Sequence, residues 1–399
     1  MSALFGRMAQ FRQEVIGGTN AAKPIHGIFK DSSVRHFALL SVLLASAVPL
    51  GVAHAAEAPA ATALPPAAQV AVDAMIAKGT PGVTVVFGGP GHEAVRADVG
   101  QIAADTRYPI ASASKWLVAA TVMALVDEGK LTLDQPVSTW LRGVKGAADK
   151  VTLRQLLAQT SGVAGGLGEL YDLKQDHRIT LRQSADEVLA RPLATTPGVV
   201  FNYGGPGFQV VGAVAEAVTG QTWEEVFQSR IARPLGMTGT QWAHLKFGDA
   251  IPPAAETRNP VLQGGAIGTA DDYVRFVKML SQKGQYEGRR VLSEKAVAEM
   301  MTDQTAAAKM LPTNAALLEK AHYGLGNWCE TWDAKGHCTR SSSIGAFGTY
   351  PWVDMPTGRY GLVFINRQTD SFAVWPEVLA VQAAADAALG EDTAKAGGK

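Results

Sequence analysis

The sequence predicts a mixed α/β fold of the α+β type, an antiparallel sheet flanked by an N-terminal and a C-terminal helix with a large all-helical lobe inserted. Two observations predict it: segments of strand character lie near both ends of the chain, and those between them are mostly helical. In order, Val83–Phe87 and a run around Glu93–Val99 flank the turn Gly88-Gly-Pro-Gly91, which reads as a β-hairpin. Helical patterns follow at Ser112–Glu128, Leu153–Gln159, Ala185–Ala190, Pro206–Thr219, Trp223–Ile231, Thr269–Gln282 and Ser293–Met301. Strand character returns at Tyr323–Thr331, Gly348–Asp354 and Tyr360–Asn366, and Phe372–Leu389 closes the chain as an Ala-rich amphipathic helix. If the terminal strands pair, the helical middle becomes an insertion, and the cleft between lobes is the expected ligand site. No fixed-period repeat exists, which excludes solenoids and propellers.

With 36 basic and 36 acidic residues in 399 and 47% hydrophobic content, the composition is globular. No Lys/Arg-rich run offers the basic face that nucleic acid binding needs. Residues 37–53, FALLSVLLASAVPLGVA, are too short to span a bilayer comfortably, and Ala53-His54-Ala55 places small residues where a signal peptidase reads. We therefore expect a signal peptide over 1–55, cleaved near Ala55-Ala56, and a periplasmic or secreted protein without a stable membrane anchor. The stretch before the apolar segment is long for an n-region, and Val34 is a candidate start if its codon serves as an alternative initiator. Cleavage removes Arg7, Arg12, Lys23, Lys30, Arg35, Glu14 and Asp31, leaving 31 basic and 34 acidic residues and a net charge of −3. Residues 56–67 read as a linker, 68–390 as the folded domain and 391–399 as a disordered tail.

The chemistry-bearing motifs reduce to one. GxSxG, HExxH, the P-loop and GxGxxG after a strand are absent, and the histidines are scattered singly, so neither a metal nor another cofactor is expected. Cys329 and Cys338 are too far apart for a zinc knuckle, and in an oxidising compartment a disulfide is the expected state, with two buried thiols as the alternative. What stands out is Ser112-Ala-Ser-Lys115 at the start of a helical pattern. Three residues apart on a helix, the amine reaches the hydroxyl and can take its proton. A bare Ser-x-x-Lys arises readily by chance, so the surrounding sequence decides.

That context resembles the serine β-lactamase and penicillin-binding protein superfamily, in its class C and esterase-like branch. The resemblance is carried by the stretch from Ser112 through Glu128-Gly-Lys-Leu-Thr-Leu-Asp-Gln-Pro-Val137, then Leu153-Arg-Gln-Leu-Leu-Ala-Gln-Thr-Ser-Gly162, Phe201-Asn-Tyr-Gly-Gly205, Pro234-Leu-Gly-Met-Thr238, Gly268-Thr-Ala-Asp-Asp-Tyr273 and Tyr323-Gly-Leu-Gly326. It covers residues 70–390. It implies Ser112 as the acylated nucleophile, with Lys115 and Tyr203 sharing the general-base role; a Tyr base needs a depressed pKa, for which the Lys115 ammonium is the expected cause. The backbone N–H groups of Ser112 and Ala346 are the expected oxyanion hole. Two departures from the family pattern stand out. Gly205 replaces the Asn of Tyr-x-Asn, removing an amide that binds substrate, while Asn202 lies nearby in another register. Ser343-Ile344-Gly345 replaces Lys-Thr-Gly or His-x-Gly, removing a cation that pairs with a substrate carboxylate. Ser343, Gly345 and Gly205 are expected to border substrate, Gly345 by letting it approach the strand, and Arg340 is a substitute cation if its loop folds back. Trp116, Trp328, Trp332 and Trp352 suit either core packing or an apolar pocket.

The resulting expectation is an exported serine hydrolase cleaving a small-molecule ester or amide through an acyl-enzyme. The alternatives are a class C-like β-lactamase or D-alanyl peptidase acting on a lactam or peptide, and a non-catalytic binding protein keeping the fold.

Overall fold

A computed structural model describes residues 63–165, 176–243, 257–311, 321–367 and 370–396. The expected signal peptide, and residues 56–62 of the expected linker, lie outside the described residues. Seven strands form one antiparallel sheet: β1 (Gly82–Gly89), β2 (His92–Gly100), β3 (His322–Tyr323), β4 (Trp328–Trp332), β5 (Cys338–Ser342), β6 (Tyr350–Asp354) and β7 (Arg359–Ile365). Their order is β3-β4-β5-β6-β7-β1-β2. The two ends of the chain meet where Val83 pairs with Ile365 and Phe87 with Gly361.

Strand β5 was not expected from the sequence, because Cys338-Thr-Arg-Ser-Ser342 lacks apolar alternation. It is nonetheless an interior strand, with Ser341 and Ser342 fully buried. The polar interior is satisfied locally: Ser342 Oγ donates to Glu330, and the Tyr350 hydroxyl lies 2.9 Å from the same carboxylate. A disulfide joins Cys329 on β4 to Cys338 on β5.

Nine helices are named here: α1 (Pro66–Ala77), α2 (Ser114–Asp127), α3 (Leu153–Leu157), α4 (Leu181–Ala190), α5 (Pro206–Thr219), α6 (Trp223–Phe227), α7 (Ala270–Ser281), α8 (Glu294–Met301) and α9 (Trp375–Ala396). The pleat of β7 divides the core. Val363 and Ile365 pack with Val72 and Met75 of α1 and with Trp375 and Val378 of α9. Leu362 and Phe364 join the other cluster, with Phe276 of α7 and the lobe helices. Trp116, Trp328 and Trp352 are core residues, and Trp332 is half-buried. Ser371–Gly390 is long and apolar enough to cross a membrane by composition; here one of its faces belongs to the core beneath the sheet.

Three of the differences from the expected boundaries have a local cause. Pro66 opens α1 inside the expected linker, since proline lacks only an N–H that the first turn leaves unused. α4 starts at Leu181 because Thr180 and Gln183 form a reciprocal capping box that the apolar pattern does not reveal. α9 runs past Leu389 to Ala396, so residues 391–396, expected in a disordered tail, are helical.

The Tyr323-Gly-Leu-Gly326 turn brings the sheet against α2. Gly326 has φ +75°, and a Cβ there would lie 2.4 Å from the Lys115 carbonyl oxygen. Gly326→Ala is therefore expected to cost about 3 kcal/mol through backbone strain and overpacking. The check is a urea unfolding midpoint that falls while the slope is retained.

Candidate active site

Ser112 lies in a single 3₁₀ turn, Ala111–Ala113, directly ahead of α2 rather than within the helix. Two features fix that turn. Tyr108–Pro109 pairs antiparallel with the short strand Ala266–Gly268, and the Ile110 N–H donates to Ala266 O at 3.0 Å. Ser114 Oγ in turn accepts the Ala266 N–H at 3.1 Å. Ala111 takes a left-handed φ of +47°, a conformation that costs an alanine about 1–2 kcal/mol. The turn thereby leaves Ser112 half-buried, while α2 behind it is buried on every side from Ser114 to Leu125.

Lys115 is 2% exposed. Its Nζ lies 3.0 Å from Ser112 Oγ and donates to the Gln263 carbonyl oxygen at 3.0 Å. The same nitrogen stands 4.7 Å from the centre of the Tyr203 ring and 5.6 Å from that of Phe208. Burial lowers the amine's pKa to about 7, so at neutral pH a large fraction is the neutral base.

Tyr203 arrives from the turn before α5, where Pro206 is the first helical residue. The Gly204 N–H donates to Gln159 Oε1 at 2.6 Å, and the Tyr203 ring stacks on Trp328 with centres 5.2 Å apart. Its hydroxyl is close enough to the Ser112 side chain for that group to favour the phenolate. Burial nevertheless pushes the phenol up to about 12, with the Ser112 contact opposing only in part. The expected depression by Lys115 does not occur. The amine sits over the ring face and is itself desolvated, so it supplies no fixed cation beside the phenolic oxygen. Tyr203 is thus a neutral hydroxyl, and Lys115 is the group of the two that loses its proton near neutral pH.

The sheet-side residues pack against the Ser112 turn. Ser343 is 3% exposed and donates to the Ser112 carbonyl oxygen at 3.3 Å, so its hydroxyl is directed at the Ser112 turn. Gly345 is buried, and a Cβ there would lie 2.3 Å from Ile110 O, so its missing side chain admits the neighbouring backbone. Ala346 is exposed at the following turn. The Gly345 carbonyl accepts from Gly348 N–H at 2.9 Å, which fixes the peptide plane and turns the Ala346 N–H the opposite way, with no partner among the described residues. Arg340 forms a bidentate pair with Asp386 at 2.8 and 2.9 Å and does not substitute for the missing cation. Among the described residues, no cluster of His, Cys, Asp and Glu is arranged to hold a metal.

Gln263 is the residue sequence reading missed. A Cβ on Gly205 would lie 0.7 Å from Gln263 Oε1, so the Gln263 carboxamide fills the space that a side chain at 205 would take. Asn202 does not: its Oδ1 packs where a Cβ on Gly165 would come within 2.7 Å. Only the local run Leu262-Gln263-Gly264-Gly265 marks the position, and nothing in it signals contact with residue 205.

The depressed Lys115 pKa has a thermodynamic consequence. Between about 7 and the ordinary lysine value of 10.5 the unfolded chain binds a proton that the folded chain does not, so this group makes folding more favourable as pH rises through that window. Relative to Lys115→Met, wild type is expected to gain roughly 5 kcal/mol of stability across it. Paired denaturant titrations at both ends of the window measure the difference.

The Beta-lactamase family profile matches residues 67–384. Among characterised relatives, the chain is 38% identical over 148 residues to Esterase EstB of Burkholderia gladioli, covering 33% of this chain and 38% of that protein. It is 31% identical over 236 residues to Penicillin-binding protein 4 of Amycolatopsis lactamdurans, covering 51% of this chain and 58% of that one. The matches thus span less than two thirds of either relative's length. A β-lactamase homologue of Bacteroides dorei superposes with a TM-score of 0.69 at 32% identity, covering 78% of this chain and 97% of its own. The profile match runs from α1 into the first half of α9 and takes in every residue of the Ser112 cleft, so the chain belongs to the β-lactamase family.

Proposed function

We propose that the chain is an exported serine hydrolase that cleaves an ester or amide through an acyl-enzyme on Ser112. The observation carrying this reading is the buried Lys115 amine, 3.0 Å from Ser112 Oγ with its pKa near 7. The neutral amine takes the hydroxyl proton as Oγ bonds to the substrate carbonyl carbon. The N–H groups of Ser112 and Ala346 receive the developing oxyanion. As the tetrahedral species collapses, the Lys115 ammonium returns its proton to the leaving oxygen or nitrogen, with Tyr203 hydrogen-bonded alongside. Water, deprotonated by the same amine, then releases the acid and frees Ser112.

Export belongs to the proposal because the apolar segment 37–53 and the Cys329–Cys338 bridge both suit an oxidising compartment. Ester or amide cleavage is favoured over β-lactam or D-alanyl peptide hydrolysis. The Ser343 hydroxyl is directed at Ser112 O and Arg340 is held by Asp386, so neither offers a charge to a substrate carboxylate.

Two outcomes are expected. A fluorophosphonate probe labels wild type and not Ser112→Ala, and that variant loses about 10³-fold or more in kcat/KM; equal labelling of the variant removes Ser112 from the role. The acylation rate rises with pH as Lys115 deprotonates around 7 and then stays level until the phenol ionises near 12. In a stopped-flow pH profile, Tyr203→Phe keeps the limb near 7 at a reduced plateau. Loss of that limb in the variant would move the base to Tyr203.

A further inference from the structure

Helix α3 ends on a backbone that favours glycine and carries a glutamine instead. The Gln159 N–H donates to Leu156 O at 3.2 Å and the Thr160 N–H to Gln155 O at 2.8 Å, the pair of bonds that closes a helix through a left-handed residue. Gln159 is that residue, with φ +58°. Glycine adopts this conformation without a Cβ penalty, and asparagine is the usual second choice. The helix end alone gives no reason for a longer side chain.

The reason lies at Tyr203. Gln159 is 7% exposed, and it holds the residues on both sides of that tyrosine. Its carbonyl oxygen accepts the Asn202 N–H at 3.0 Å, and its Oε1 accepts the Gly204 N–H at 2.6 Å. The Gly204 N–H belongs to the peptide that follows Tyr203, so Oε1 fixes the plane to which the Tyr203 Cα is attached. Two glycines follow the tyrosine and give that peptide little restraint of their own. The Gln159 side chain is also close enough to the Tyr323 hydroxyl to favour its phenolate, and the Tyr323 ring meets Tyr203 edge-on with centres 6.0 Å apart. Stacking on Trp328 restrains the tilt of the Tyr203 ring but tolerates sliding, so the hydroxyl is placed only as well as the flanking backbone is held.

We propose that Gln159 is a positioning residue: its carboxamide oxygen holds the peptide between Tyr203 and Gly204 and thereby sets the Tyr203 hydroxyl against Ser112 during acylation. This inference rests on the serine hydrolase reading above. Gln159 acts through the phenol and not through the Lys115 amine, whose own hydrogen-bond contacts are Ser112 Oγ and the Gln263 carbonyl oxygen. The left-handed glutamine exchanges an easier helix end for an acceptor aimed at the tyrosine turn.

The test is a stopped-flow pH profile of acylation by p-nitrophenyl acetate. Gln159→Met keeps the side-chain length and the left-handed turn but removes the acceptor. Gln159→Gly also removes the acceptor, while keeping the backbone bond to Asn202 and suiting the turn better than wild type, so a loss there is not a failure of the helix end. Both variants are expected to lower the plateau about tenfold and to keep the limb near 7, because the Lys115 contacts are untouched. In a Tyr203→Phe background, which has no hydroxyl to place, either substitution is expected to cause less than about a twofold further loss. A merely structural role would lower both backgrounds alike. Melting temperatures identify a variant that fails to fold, and the other then carries the comparison. A plateau within about twofold of wild type in either folded single variant, or the full loss repeated in the Tyr203→Phe background, overturns the inference while leaving Ser112 chemistry standing. Absence of wild-type turnover together with absence of fluorophosphonate labelling instead overturns the hydrolase reading itself.

Discussion

The site depends on the desolvation of one amine. Holding Lys115 at 2% exposure favours its neutral form against the ammonium by roughly 5 kcal/mol relative to water. Burial is the cause of that shift, and its partners, the Gln263 carbonyl and two aromatic faces, are too weak to restore the charge. A solvated lysine at the same spacing from Ser112 would be a poor base at neutral pH. Motif spacing therefore supplies proximity, and the fold supplies the basicity.

Much of the surrounding architecture serves that condition. α2 is buried around its circumference, which requires the sheet side, the lobe helices and the Gly326 turn to close on it together. The turn carrying Ser112 is pinned from both sides by residues distant in sequence, Ala266 and Ser343, through hydrogen bonds to its backbone and to its neighbour Ser114. These clamps explain how a left-handed alanine at 111 persists beside Ser112: the contacts around it fix the backbone against relaxation.

What was legible in the sequence follows from locality. Strands β1, β2, β6 and β7 and most helices declare themselves through apolar periodicity, and the Ser112–Lys115 pairing follows from helical spacing even though Ser112 sits just outside α2. Strand β5 is silent because its buried serines are stabilised by Glu330 rather than by apolar contact. The contacts of Ser343 and Gly345 with the Ser112 turn and Ile110 are not legible in the motif, because a motif position does not state which way a residue faces. Gln263 was invisible for a stronger reason: its partner is an absence, the missing side chain of Gly205 58 positions earlier.

The two departures from the family pattern share one electrostatic logic. A lysine or histidine cation at position 343 would lie against the Ser112 turn and would depress the Lys115 pKa by like-charge repulsion. Ser343 provides no such charge, and Arg340 is neutralised by Asp386 and Asp354. Burial alone must then bring the amine to about 7, so the wall around Lys115 has to exclude water without adding charge. A glutamine meets that requirement where an acidic residue would not: its carboxamide fills the space beside Gly205 while remaining neutral, whereas a carboxylate there would stabilise the ammonium and raise the Lys115 pKa.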